Sequence, residues 1–478
     1  MAAGADILFG GLGALSEGVR TRRVSPVELV EVALARADAA ARLGWIVTAT
    51  PERARAAAKN AEAEIGTGRW RGPLHGIPCG LEDLVDTGGV RTTRGARPYA
   101  QRVPERDATI AARLAAAGAI LVAKLATIEL GGRLGYGLAA SSITGPCRNP
   151  WDPGRWAGGA SGGAAAAVAG GVVPFALGVD LDGSLTGPAA FCGATALRPT
   201  AGAIPRTGVG IGAYTLGAVG PVARSAEDCA TVVSVLAGRD PRDPSSIAPP
   251  PGLERPRPEL VRGLRIGVLA APRTALPAAS TALAAAQDVL RAGGALVAAA
   301  ELPALPYAEA LSVLLDAEAA NALEDLVRSG RTRELDDPSH RARRPDDYAP
   351  RAGSADYVRA ARIRGEVQRE LARLLARHDL LLAPNLPLAP PEVGETLAPL
   401  RRARDPLGAA IELAGLPAAA MPIGFDRGLP LSALVVGPAL EDARLLSAAA
   451  SYQARTSHHL QRPPEPAARP GGAAVTRR

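Results

Sequence analysis

One stretch constrains the fold more than any other. Gly158-Gly159-Ala160-Ser161-Gly162-Gly163 leads into an apolar run, and Val179-Asp180-Leu181-Asp182-Gly183-Ser184 follows it. The run from Ala164 to Leu177 is too short to span a bilayer, and Pro174 interrupts it. It reads as a buried helix followed by a strand, bracketed by glycine turns. Aromatic residues make up only 3% of the chain while Ala and Gly abound, which favours helices packed closely through small side chains.

Further along, Ser25-Pro26-Val27-Glu28 is a helix start, with Ser25 as cap, Pro26 in the first helical position and Glu28 closing a capping box. Leu29, Val30, Ala33, Leu34 and Ala37 then recur at helical spacing. Helices are also expected over 52–65, 107–117 and 281–292, and strands over 119–123, 264–269 and 378–382. The segment 239–258 reads as a surface loop. The charged segment 330–353, with Pro338, Pro345 and Pro350, reads as an exposed, mobile loop bordering the pocket.

The net charge of +7 is spread thinly, with no basic stripe and no interleaved aromatics, so nucleic-acid binding is not expected. Cys79, Cys147, Cys192 and Cys229 lack metal-ligand spacing and read as reduced thiols of a cytoplasmic protein. The dispersed histidines suggest no metal site, and no motif implies a cofactor. The N-terminus has neither the basic start nor the apolar core of a signal peptide.

The glycine-rich core resembles that of the amidase signature family, whose pattern reads roughly G-G-S-S-G-G followed by T-D-x-G-G-S. Ser184 falls on the nucleophile and Ala160 on the serine that bridges it to a lysine, 24 positions apart as in the family. Gly76-Ile77-Pro78-Cys79-Gly80-Leu81-Glu82-Asp83 matches the lysine-bearing segment, with Glu82 in the lysine's place. Gly145-Pro146-Cys147-Arg148-Asn149-Pro150-Trp151-Asp152, Leu197-Arg198-Pro199-Thr200 and Leu413-Ala414-Gly415-Leu416-Pro417 extend the resemblance in the family's order. It implies an α/β fold, a central mixed β-sheet with helices on both sides, as a single domain over 1–461. The tail 462–478 is expected to be disordered.

The resemblance also implies a mechanism: a neutral lysine takes a proton from the bridging serine, which takes one from the nucleophile, while turn N–H groups hold the oxyanion. Here Glu82 is an ordinarily weak base of pKa about 4.3, Ala160 has no hydroxyl, and Asp182 stands where the family has glycine. Val179 and Thr186 replace a threonine and an arginine. The expectation drawn from this concentration is a rebuilt site. Glu82 and Asp182 would act as acid and base around Ser184, on a small polar molecule, by non-hydrolytic or acyl-transfer chemistry. Ser161, Ala160, Gly159, Leu181, Gly183 and Thr186 would contact the substrate. One alternative is an inactive protein that serves as a binding or scaffold subunit. The other is an amide hydrolase using Ser184 with another base, for which Lys124 is a minor candidate. The expected partners are a small-molecule substrate, no nucleic acid and no membrane. A homodimer is allowed.

Overall fold

The computed structural model describes residues 4, 6–139, 141–253, 256–341, 343–348, 352–398 and 406–465. Its centre is the helix Gly162–Ala169, which is apolar on every side and buried throughout. A helix with no polar face belongs in a core. Gly163 makes this placement possible, because a Cβ there would lie 2.3 Å from the backbone nitrogen of Ala126.

Eleven strands form one mixed sheet: β1 (Ile46–Ala49), β2 (Pro78–Glu82), β3 (Ile120–Leu125), β4 (Phe175–Asp180), β5 (Thr195–Arg198), β6 (Ala218–Ala223), β7 (Arg265–Leu269), β8 (Leu296–Ala300), β9 (Leu380–Asn385), β10 (Ala418–Asp426) and β11 (Leu429–Val436). They run in the order β1-β3-β2-β4-β6-β5-β10-β11-β9-β7-β8. Pairing is parallel from β3 through β2 to β4, antiparallel across the centre from β4 to β9, and parallel again from β9 through β7 to β8. Alternation along β2 distinguishes the two faces. Cys79 and Leu81 line a cavity beside the helix Pro51–Gly66, whereas Glu82 reaches Ser161 ahead of the central helix. The sheet with flanking helices is the α/β architecture that the motifs imply.

The local signals are realised closely. Ser25 accepts from the Val27 and Glu28 amides, and Glu28 closes the box over the helix Pro26–Ala39. The expected helices appear as Pro51–Gly66, Thr109–Ala116 and Pro277–Ala292. The segment 330–353 departs from expectation. It forms short helical turns at Arg331–Glu334, Pro338–Arg341 and Pro345–Tyr348, with Asp337 and His340 buried. Asp337 accepts the amides of Gly137 (2.6 Å) and Leu138, so this segment is tied to the loop beside the pocket. Residues 342 and 349–351 lie outside the described ones, as does the tail from 466 onward. Arg462 and Glu465, at its beginning, pair with Asp6 and Arg36.

Candidate active site

β4 ends at Asp180, and the chain turns through Leu181, Asp182, Gly183 and Ser184 into the helix Thr186–Cys192. Asp182 has φ +57° and Gly183 φ +80°. Aspartate enters the left-handed region more readily than most residues, so the turn is made without glycine at its first position. Asp180 holds the turn from inside, accepting from Gly183 (3.2 Å), Leu185 (3.0 Å) and Thr186 (3.0 Å). Glu412 accepts from the Asp182 amide at 3.1 Å and the Gly217 amide at 2.6 Å. Arg198 joins the two carboxylates, reaching Asp180 at 3.1 Å and Glu412 at 2.7 Å in a fully buried ion triad. A buried charge persists only when paired and hydrogen-bonded, and this network meets that condition.

Ser184 Oγ donates to the Val179 carbonyl at 2.8 Å and accepts from the Leu181 amide at 3.0 Å. Among the described residues no lysine, histidine or arginine hydrogen-bonds to it. Glu82 is completely buried; its Oε2 accepts from Ser161 Oγ and from the Val179 amide, both at 2.7 Å. Ser161 Oγ also lies 3.1 Å from the Val179 carbonyl, so both serine hydroxyls face one acceptor. Burial pushes the Glu82 carboxyl above the usual range, and the hydroxyl of Ser161, the Val179 amide and the charge of Arg133 oppose that rise. The Thr127 hydroxyl opposes it too, standing beside the carboxyl without hydrogen-bond geometry. Ala160 packs with Ile128, Ala139, Trp156 and Leu397, so the bridging-serine position is apolar. Lys124 is remote from this chemistry. Its buried Nζ donates to Val85 O and Thr92 Oγ1, and burial pushes it down to about 8.

A pocket of about 100 Å³ opens over the turn, lined on one side by Tyr136, Trp156, Gly158 and Gly159 and on the other by Leu386, Leu407 and Gly408. Asp182, Gly183 and Thr186 form its floor. Ser184 lies just beneath at 9% exposure, Leu181 and Ser161 are buried, and Glu82 sits behind Ser161 rather than on the wall. The structure therefore does not bring Glu82 and Asp182 into one chamber. Five residues that surround the site escaped the sequence reading: Asp180, Arg198, Glu412, Arg133 and Trp156. Asp180 and Arg198 lay inside matched motifs. Glu412 had no local signal, because its partners are some 200 residues away.

A serine at a strand-to-helix turn, below a glycine-lined pocket and in an eleven-stranded mixed sheet, defines a protein of the amidase-signature fold. The sequence profile of the Amidase family matches residues 28–446, and the chain belongs to that family. It is 37% identical to the A subunit of a glutamyl-tRNA(Gln) amidotransferase from Anaeromyxobacter dehalogenans, over 95% of this chain and 98% of that protein. The native peptide amidase from Stenotrophomonas maltophilia superposes with a TM-score of 0.81 at 27% identity, covering 96% of this chain and 98% of that one. The A subunit of the Thermotoga maritima glutamyl-tRNA(Gln) amidotransferase gives a TM-score of 0.76 at 25% identity, covering 93% and 95%.

These relatives overturn two expectations. Proteins that match almost end to end are amidotransferase subunits of the amidase type, which removes the non-hydrolytic small-molecule enzyme. The separation of Glu82 from Asp182 removes its acid/base pair as well. The expected partners also fall: the relatives are named for glutamyl-tRNA(Gln), which conflicts with a small-molecule substrate and no nucleic acid. Among the described residues, no helix is long and apolar enough to cross a membrane.

Proposed function

We propose that this chain is the amidase-type component of a larger assembly, a counterpart of the amidotransferase A subunits, and that it acts on an amide held above Ser184. The observation that carries this reading is the 37% identity across 95% of the chain to a protein that is itself named as a subunit. Glutamyl-tRNA, named in those relatives, is the nucleic-acid partner it brings.

In this reading Ser184 is the nucleophile and Ser161–Glu82 is the proton path. Ser184 Oγ turns from the Val179 carbonyl to Ser161 Oγ, and Ser161 passes its proton to Glu82 across 2.7 Å. Burial makes Glu82 a stronger base than a free carboxylate. As Ser184 attacks the amide carbon, the Leu181 N–H leaves Ser184 Oγ and turns to the developing oxyanion. The proton then returns from Glu82 through Ser161 Oγ to the departing nitrogen, and a water that gives its proton back along the same path resolves the acyl-enzyme. Gly159, Gly183 and Thr186 border the bound amide, Ala160 packs behind it, and Asp182 shapes the turn.

A second reading, a protein that binds the amide without cleaving it, is favoured by the engaged amides of Asp182 and Gly183, held by Glu412 and Asp180. Reaction with a fluorophosphonate probe, read by intact mass, separates the two. Cleavage predicts labelling of the wild type, none of Ser184→Ala, and labelling of Glu82→Gln slowed by about 100-fold. Labelling seen only after the combined changes Glu82→Lys, Ala160→Ser and Asp182→Gly sinks the cleaving reading. Purification from the native source as a lone chain, with neither partner protein nor tRNA, removes the assembly.

A further inference from the structure

We propose that Arg133 is a positioning residue for Glu82, the buried cation that governs the Ser161–Glu82 pair without touching the ligand. This rests on the reading of Glu82 as the proton acceptor. Among the described residues, Arg133 Nε and Nη2, both donors, are buried without a hydrogen-bond partner, and so is Glu82 Oε1, an acceptor. They are complementary orphans of one interior, where an unpaired charge is costly. Arg133 does not line the pocket, so its guanidinium is not placed for substrate.

Three carboxylates act on Arg133: Glu82 foremost, then Glu412 and Asp180. The last two already hold Arg198 at 2.7 and 3.1 Å. Among the described residues Glu82 has no cation within ion-pair distance, so it is the carboxylate left for Arg133. The other groups facing it are neutral or spoken for. Ser161 and the Val179 amide bond its Oε2, and Thr127 stands beside it. Lys124, on the neighbouring β3, is turned to Val85 O and Thr92 and feels Asp83 first. Asp83 is itself held by Thr93 and by the Gly95 amide.

The backbone is shaped to deliver Arg133. Leu130, Gly131 and Gly132 have φ of +54°, +62° and +78°, three consecutive left-handed residues that carry the chain inward. Gly212 makes room for the side chain: a Cβ there would fall 2.6 Å from Arg133 Cγ. Burial pushes the guanidinium down to about 10, so it remains charged at neutral pH.

The test is infrared titration of the full-length protein. The carboxyl C=O band of protonated Glu82 is assigned by its loss in Glu82→Gln. Arg133→Met removes the cation and raises the pH at which that band appears by about one unit or more, a tenfold change in proton affinity. Arg133→Lys restores it. Should Arg133→Met fail to fold, Gly212→Ala displaces the guanidinium stem and moves the titration in the same direction. An unchanged titration in a folded variant overturns the proposal. The readout needs no turnover: a shifted band in a protein that the fluorophosphonate never labels upholds the pairing while the cleaving reading fails.

Discussion

Replacing Asp180 with alanine removes one carboxylate that organises the whole turn. Three amides lose their acceptor, those of Gly183, Leu185 and Thr186. A buried amide left unpaired costs about 1–3 kcal/mol. Arg198 loses one of its two carboxylates but keeps Glu412 at 2.7 Å. The loss therefore falls below the 3–5 kcal/mol, roughly, of a stranded buried charge. These costs share one group and are not additive. A total of about 4 kcal/mol follows, with no discount for solvent screening because the triad is buried. An unfolding entropy of about 2.1 cal/mol/K per residue amounts to about 1 kcal/mol/K for 478 residues, so the melting temperature falls by about 4 °C. Hydrogen exchange supplies the local readout, and amide protection over 181–186 drops with it. A melting temperature within about 1 °C of wild type, with unchanged protection there, refutes the claim that Asp180 holds the turn.

Three further changes test separate parts of the structure. Gly163→Ala places a methyl 2.3 Å from the Ala126 nitrogen, backbone that has no room to yield, and the variant is expected to be insoluble on expression; a soluble protein of wild-type stability contradicts the packing described. Burial pushes Asp228 up to about 6 while its Oδ1 accepts the Leu12 amide at 2.7 Å. With the folded value raised, its stabilising contribution is complete below the unfolded value near 3.9 and is lost as pH rises through about 6. Asp228→Asn therefore flattens melting temperature against pH in that window and raises it by about 2 °C at neutral pH. Trp156→Ala removes a buried indole from the pocket wall, costs about 3–5 kcal/mol and lets bulkier fluorophosphonates reach Ser184, visible in the rates of a graded probe series.

The sequence carried the fold where the determinants are local. The Ser25 capping box, the glycine run before a small-residue helix and the punctuated strands each act over a few residues, and each appears where expected. The segment 330–353 misled, because its prolines and charges look solvent-facing while Asp337 is buried against the 137–138 amides. That Glu82, Ser161 and Ser184 lie together around Val179 was implied by the matched motifs. That Glu82 lies behind Ser161, apart from Asp182, was not, because which side of a strand faces which cavity depends on the assembled sheet. Arg133 and Glu412 were invisible for the same reason. Nothing near Glu412 in the chain marks it as the acceptor for the Asp182 and Gly217 amides.

The anchoring of the turn by Glu412 sets an order of events during synthesis. The turn at Ser184 leaves the ribosome early, yet the carboxylate that fixes its Asp182 amide, and the β10 strand that pairs with β5 beside Arg198, come more than two hundred residues later. Until they arrive, Arg198 and the turn lack their closing partner, and the pocket has no wall at Leu407 and Gly408. The site is thus finished only when nearly the whole chain has emerged, so a prematurely ended chain carries every serine of the motif and no assembled site.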